Sequence, residues 1–257
     1  MSMASDDLLR ALLELADEAG REIMRHYLAG TEVAQKADKS PVTAADEAGE
    51  AIILRGLARL TPAIPVVAEE AVAKGRIPAV GDGPFWLVDP LDGTKEFIQQ
   101  RGEFTVNIGL VEDRLPTLGV VTAPAIDTAW WGAMGHGAKR RKGGVVEPIA
   151  VRATPPSGGL VAVASRSHRD AETDAWLAAH GITETISCGS SLKFCAVAEG
   201  RADVYPRFGR TMEWDTAAGH AVLRAAGGEV VTTTGGPFVY SKPDFANDGG
   251  FIARAHG

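Results

Sequence analysis

The stretch richest in reactive groups is Trp86-Leu87-Val88-Asp89-Pro90-Leu91-Asp92-Gly93-Thr94. An apolar run ends at Asp89, Pro90 stiffens the exit, and Asp92 follows three residues later. Such a bend can aim two carboxylates at one point, with the Leu91 carbonyl between them. Gly93 permits a close backbone approach, and Thr94 can open a helix whose free N–H groups attract an anion. Two carboxylates and a carbonyl, with no Cys or His beside them, form a hard oxygen site suited to Mg2+. The same residues also fit an ordinary Asp-Gly turn capped by its own side chains, so this stretch alone leaves both readings open.

Other acids stand in comparable places. Glu69 and Glu70 end the apolar run 64–68, where one of two adjacent acids must face the layer interior. Asp215, in Glu213-Trp214-Asp215-Thr216-Ala217-Ala218-Gly219, begins a small-residue helix and fits an N-cap. Asp46 completes Thr43-Ala44-Ala45-Asp46, a capping box with Asp in the Glu/Gln place. Each has an adequate structural explanation by itself.

The elements that must position these acids follow from periodicity. Leu8, Leu12, Leu15, Ala16, Ala19, Ile23 and Tyr27 recur at helical spacing, and Gly30 sits where a C-cap belongs. A second helix starts at Thr43 and stops before Pro62. Runs 64–68, 85–88, 104–111, 118–123 and 128–133 read as strands. Beyond residue 150, strands at 160–164, 202–205, 229–232 and 251–253 alternate with helices at 171–179, 190–199 and 215–226. This predicts two α/β lobes, 1–150 with most of the acids and 151–257 completing the site, packed as one unit of layered helices and sheets. Lys139-Arg140-Arg141-Lys142, the one dense charge run, reads as a solvated turn.

Composition narrows the class. The 257 residues carry 26 basic and 33 acidic side chains, a net charge of −7, with 45% hydrophobic and 23% charged residues. A chain this long buries roughly 70% of its surface on folding, which excludes a stapled mini-protein and a disordered chain. No apolar stretch approaches the ~20 residues of a membrane span. The acidic balance argues against a nucleic-acid duplex as partner. The start of the chain, with Asp6 and Asp7, lacks the basic region of a secretory signal. Cys188 and Cys195 match no zinc motif and read as reduced thiols, so a cytoplasmic setting is expected.

Taken together, Pro41-Val42-Thr43 with Asp46, Ala68-Glu69-Glu70, Asp89-Pro90-Leu91-Asp92-Gly93-Thr94 and Trp214-Asp215-Thr216-Ala217-Ala218-Gly219 occur in order. This resembles the lithium-sensitive, magnesium-dependent phosphatases related to inositol monophosphatase and fructose-1,6-bisphosphatase. Lys95-Glu96-Phe97-Ile98, Phe104-Thr105-Val106-Asn107-Ile108-Gly109-Leu110, Ser165-Arg166-Ser167-His168, Gly189-Ser190-Ser191-Leu192-Lys193-Phe194 and Tyr205-Pro206-Arg207-Phe208-Gly209 look like the bacterial 3′(2′),5′-bisphosphate nucleotidase branch, which acts in sulfur metabolism. Two places depart from the pattern: the basic run replaces the usual Asn-Gly after Gly135-His136-Gly137-Ala138, and Arg210 stands where relatives often have Pro or Ser.

The resemblance implies the αβαβα layered sandwich of the sugar phosphatases and two Mg2+ ions, with a third left open. Glu69, Asp89 and the Leu91 carbonyl would hold one ion, while Asp89, Asp92 and Asp215 would hold another. Asp46 and Thr94 would be catalytic, Asp46 taking a proton from water through the Thr94 hydroxyl. The N–H groups of Gly93 and Thr94 would hold phosphoryl oxygens, in a substrate site that also includes Glu69, Leu91, Asp92 and Asp215. The implied reaction cuts adenosine 3′,5′-bisphosphate to AMP and phosphate, with 3′-phosphoadenylyl sulfate as a second substrate. Lys193 and Arg207 are candidates for contacting the second phosphate or the ribose, and equally for ordinary surface cations. Inositol phosphate or a sugar bisphosphate on the same site, and a non-catalytic scaffold of the same fold, are the rival readings. The sequence leaves the oligomeric state open, a homodimer included.

Overall fold

Apolar residues repeating every three or four positions build helix α1 (Asp6–Ala29), which buries Leu9, Leu12, Leu15, Ala16, Ala19 and Ile23 along one face. Ser5 caps it by accepting from the Leu8 N–H at 3.1 Å, and Gly30 closes it at φ 74°. Helix α2 (Ala44–Leu60) starts at the expected capping box and packs against α1. This computed structural model describes residues 5–30, 33–35, 41–153, 157–165 and 170–255. Arg166, Ser167 and His168 of the branch motif lie outside the described residues.

The two helices cover one face of a seven-stranded sheet. Its strands lie side by side in chain order: Val66–Ala68, Phe85–Asp92, Thr105–Glu112, Leu115–Ala123, Thr128–Ala133, Gly137–Lys142 and Val145–Ile149. The first pair is parallel and the rest antiparallel. Against the other face lie α6 (Leu192–Ala198) and α7 (Glu213–Ala225), then a five-stranded sheet, then α5 (Ala171–Ala179). The second sheet runs Glu184–Cys188, Val161–Ser165, Val204–Arg207, Phe251–Arg254, Glu229–Val231. The layers are therefore αβαβα, as the resemblance implies. One core cluster holds residues from both sheets and from α6 and α7, including Leu87, Val121, Val163, Phe194, Trp214 and Phe251.

Helix α7 lies directly on sheet backbone. A Cβ at Gly109 would stand 2.8 Å from the Ala218 nitrogen, and one at Gly119 only 2.3 Å from the Ala218 oxygen. Contacts that short do not occur, so glycine at these positions sets the helix-to-sheet distance.

Three expectations are corrected. Glu69 and Glu70 do not end a strand; they open the short helix α3 (Glu69–Ala73) after the strand Val66–Ala68. Asp215 is the third residue of α7, not its N-cap, which is Met212. Lys139–Lys142 is not a solvated turn, because it lies in the strand Gly137–Lys142 and its arginines are ion-paired. Arg141 holds Asp17 of α1 at 2.8 and 2.7 Å, and Arg140 holds Glu199 at the end of α6 at 2.7 Å. The strand Val145–Ile149 beyond it was not anticipated either.

Candidate active site

The strand Phe85–Asp92 carries the central acids. In a regular strand Asp89 and Asp92, three residues apart, would point to opposite faces. The ladder slips between them, with Asp89 opposite Asn107 but Asp92 opposite Thr105, so three steps on one strand match two on the other. This one-residue bulge turns both carboxylates to the same side. Gly93 follows at φ 93° and starts the short helix α4 (Thr94–Ile98). A Cβ on Gly93 would press to 3.2 Å on the Glu103 carbonyl oxygen, so the turn both requires positive φ and lacks room for a side chain.

A cavity of about 320 Å³ opens at this turn. Its walls include Glu69, Asp89, Leu91, Asp92, Gly93, Thr94, Lys193, Arg207 and Asp215, so the expected metal and substrate residues do come to one place. Asp46 stands behind them, 1% exposed. Its Oδ2 accepts from the Thr43 N–H and hydroxyl, both at 2.8 Å, while Oδ1 faces the Thr94 hydroxyl at 3.4 Å. One carboxylate oxygen thus serves the capping box and the other faces the site. The Thr94 hydroxyl is also 3.3 Å from the Leu91 carbonyl oxygen.

The acids crowd one another. Burial, then repulsion from Glu69, Asp92 and Asp215, pushes the Asp89 carboxyl well above the usual carboxylate range. Burial and repulsion from Asp92 and Glu69 do the same to Asp215. Asp92 is raised by burial, against the opposing pull of the Lys193 ammonium and a hydrogen bond from Ser190. The neighbouring Glu69 carboxyl adds to the upward push on Asp89.

Each acid also holds a protein donor. Asp89 Oδ1 accepts from the Leu91 N–H at 2.9 Å, Asp92 Oδ2 from the Ser190 hydroxyl at 2.7 Å, and Asp215 Oδ2 from the Met212 N–H at 2.7 Å. In this arrangement, among the described residues, no three Asp, Glu, His or Cys groups stand together in a way that could hold a metal ion. The donor set nevertheless suits a hard divalent cation, being all oxygen with its charges mutually repelling.

The same cavity also carries the cations Lys193 and Arg207. Lys193, on α6, is only 6% exposed, so it is no surface cation. Its Nζ donates to the Ser190 carbonyl at 2.5 Å and lies 5.4 Å from the centre of the Tyr205 ring. Burial pulls its pKa down while the attraction of Asp92 opposes this. Arg207 ends the strand Val204–Arg207, half-buried, with Nε donating to the Gly209 carbonyl at 3.2 Å. The cavity thus brings carboxylates and cations together, Lys193 acting on Asp92 and Arg207 on Asp215.

Sequence reasoning passed over Glu96, Ser190, Tyr205 and Arg210 as site residues, all of which line this cavity. Arg210 pairs with Asp248 at 3.1 Å. Ser190 and Tyr205 lay inside quoted motifs, which was the available signal; nothing in the one-dimensional pattern tied Ser190 to Asp92, 98 positions away.

A profile of the Inositol monophosphatase family matches residues 4–255. The 3′(2′),5′-bisphosphate nucleotidase CysQ of Escherichia coli strain K12 is 49% identical over 247 residues, covering 94% of this chain and 98% of its own length. The CysQ of Buchnera aphidicola is 42% identical, covering 96% of this chain and 94% of its own. Among solved structures, CysQ from Bacteroides thetaiotaomicron superposes with a TM-score of 0.82 at 39% identity, covering 99% of both chains. An inositol monophosphatase from Anabaena gives 0.76 at 29% identity, covering 96% of this chain and 90% of that one. With a family profile matching residues 4–255, matching sequence along nearly its whole length and the same overall fold, the chain belongs to the inositol monophosphatase family.

Proposed function

We propose that this protein is a magnesium-dependent phosphatase that removes the 3′-phosphate of adenosine 3′,5′-bisphosphate, giving AMP and phosphate. The observation that carries the reading is a single cavity lined both by crowded carboxylates and by a buried lysine and a half-buried arginine. That arrangement suits a substrate with two separated phosphates, one to be cut and one to be held. The close CysQ relatives support the same branch. 3′-Phosphoadenylyl sulfate, with a phosphate and a phosphosulfate group similarly placed, fits as a second substrate.

Glu69, Asp89 and the Leu91 carbonyl would hold one Mg2+, and Asp89, Asp92 and Asp215 a second. Bound there, Mg2+ supplies Lewis acidity toward water and the phosphoryl oxygens and offsets the repulsion among the acids. The chain's own groups do the rest. Asp46 keeps Oδ1 free of the capping box and accepts a proton from the attacking water through the Thr94 hydroxyl. Gly93 and Thr94 present backbone N–H groups to the phosphoryl oxygens. Lys193 and Arg207 hold the second phosphate, fixing the scissile ester against the acids. The segments 1–150 and 151–257 act as one unit in this reading, since the acids come from both. Cys188 and Cys195, neither in a disulfide, fit a reducing compartment, so we assign the reaction to the cytoplasm.

The test is phosphate release, with and without Mg2+, from adenosine 3′,5′-bisphosphate, inositol 1-phosphate and fructose 1,6-bisphosphate in parallel. A strong Mg2+-dependent preference for the nucleotide is expected. Preference for either other compound overturns the substrate assignment while leaving the phosphatase chemistry, and no release from any of them overturns both.

A further inference from the structure

Two of the motifs that mark the nucleotidase branch meet at Asp92. Thr105 and Asn107 lie two residues apart on one strand, hence on one face, opposite Asp92 and Asp89 respectively. Ser190 and Ser191 come from the turn before α6, with Ser190 held at φ 55°. Four side-chain contacts join these groups, and Ser190 Oγ also stands 3.0 Å from the Asp92 carbonyl oxygen. Ser190 Oγ is 2.7 Å from Asp92 Oδ2, and Thr105 Oγ1 is 2.5 Å from Ser190 Oγ. Thr105 Oγ1 is also 2.8 Å from Ser191 Oγ, which is 2.7 Å from the amide atom of Asn107 that the structure places as Oδ1.

Each side-chain contact needs one hydrogen, and three hydroxyls supply only three. As a cation ligand Asp92 is ionised and can only accept, so Ser190 donates to it. Ser190 must then accept from Thr105, and Thr105 from Ser191. The Ser191 proton is thereby engaged, and the fourth hydrogen can come only from the Asn107 NH2 group. With Asn107 Oδ1 turned to Ser191 instead, the chain is one hydrogen short. Nδ2 is then buried with no hydrogen-bond partner among the described residues, on a side chain that is 0% exposed. Which way a side-chain amide faces is settled by this kind of donor and acceptor accounting.

We propose that Asn107 is a positioning residue whose NH2 group faces Ser191 and starts a one-way donor chain, through Ser191, Thr105 and Ser190, that ends on Asp92 Oδ2. Donors aligned in series polarise one another, so the last one binds the carboxylate more firmly than an isolated serine would. The chain holds Asp92 in one orientation and leaves its Oδ1 edge for a cation, as groups behind a metal ligand do elsewhere. The Ser191 N–H adds a further donor to Asp92, and Lys193 steadies the turn by donating to the Ser190 carbonyl at 2.5 Å. Both the direction of the chain and its consequence for metal affinity rest on Asp92 being an ionised ligand, as in the proposed function.

Two measurements test it. In the first, Thr105→Val removes the central hydroxyl and keeps the shape, while Thr105→Ser keeps the hydroxyl. Mg2+ is titrated against thermal stability with no substrate present. The half-saturating concentration is expected to rise about tenfold in Thr105→Val, the scale of one lost hydrogen bond to a charged group, and to return within about twofold of wild type in Thr105→Ser. Equal values for Val and Ser overturn the role of the chain. In the second, neutron diffraction of deuterated wild-type protein reads the amide directly and does not depend on any variant folding. Deuterium on Asn107 Nδ2 pointing at Ser191 Oγ is expected; Oδ1 facing Ser191 reverses the chain and overturns the proposal. If wild type gains no stability from Mg2+ at all, it is the metal reading that falls, and the neutron result still decides the direction.

Discussion

Two acids two residues apart on α7 are buried in opposite ways. Glu213 is 0% exposed, yet every oxygen is served. Its Oε1 accepts from the Lys242 N–H at 3.0 Å and Nζ at 3.2 Å, and its Oε2 accepts from the Ser241 N–H at 3.0 Å. Lys242 is tied in turn to Asn247 Oδ1 at 2.9 Å. Asp215 faces the cavity with one N–H donor and two other carboxylates pressing on it. Where a carboxylate is only structural, the fold supplies a cation and backbone donors from within. Where it faces the cavity, the fold supplies a single backbone donor and sets other carboxylates against it, and the repulsion that remains favours a cation from outside.

Breaking the site end of this contrast has the largest expected effect. Asp92→Asn should lower turnover on the order of a thousandfold while the protein folds normally, as steady-state kinetics and circular dichroism would show. A variant with near wild-type turnover contradicts the assigned role. Next comes the structural end. Glu213→Ala leaves Lys242 without its carboxylate and should cost about 3 kcal/mol in urea denaturation, far more than Asp92→Asn costs. If the two variants lose equal stability, the contrast is lost.

The cavity's cations sharpen it further. Arg207→Gln should raise KM for adenosine 3′,5′-bisphosphate about tenfold and leave adenosine 3′-monophosphate nearly unaffected, because only the former carries the phosphate it holds. Equal effects on both nucleotides would remove Arg207 from that role.

The smallest effect is on pH dependence. Asp89 and Asp215 have folded pKa values raised above their unfolded ones, so the native state binds protons more tightly there. Stability without metal is then greatest below the ordinary carboxylate range and falls as pH rises through the raised values. Thermal melting in a chelator should therefore give a lower midpoint at pH 8 than at pH 5, once other titrating groups are matched by the Asp89→Asn variant. Mg2+ should narrow that gap. An unchanged gap would mean the cluster is not what the ion relieves.

Much of this was legible in the sequence. The acid-rich turn declares itself because an apolar strand, a proline and an Asp-Gly step are all local signals, and helices α1 and α2 announce both their faces and their caps. What failed was anything decided by a distant partner. The basic run looks solvated until Asp17 and Glu199 arrive from other layers to pair with Arg141 and Arg140. The strand Glu184–Cys188 lies at the sheet edge, largely exposed, so it carries no apolar pattern to read. Five residues are too few to show a helical period, which is why α3 was taken for the end of a strand. The hydroxyls that converge on Asp92 come from two motifs far apart in the chain, and only the register between strands reveals that they touch.

The bare backbone beneath α7 acts as a gauge. Asp89 belongs to the sheet and Asp215 to the helix, and nothing compressible separates the two elements where Gly109 and Gly119 meet Ala217 and Ala218. A methyl group at either glycine would lift the helix and part the two carboxylates with it. If the acids hold cations as proposed, how closely their oxygens can converge, and so which size of ion they favour, would be set by carbons missing from a surface that no ion touches.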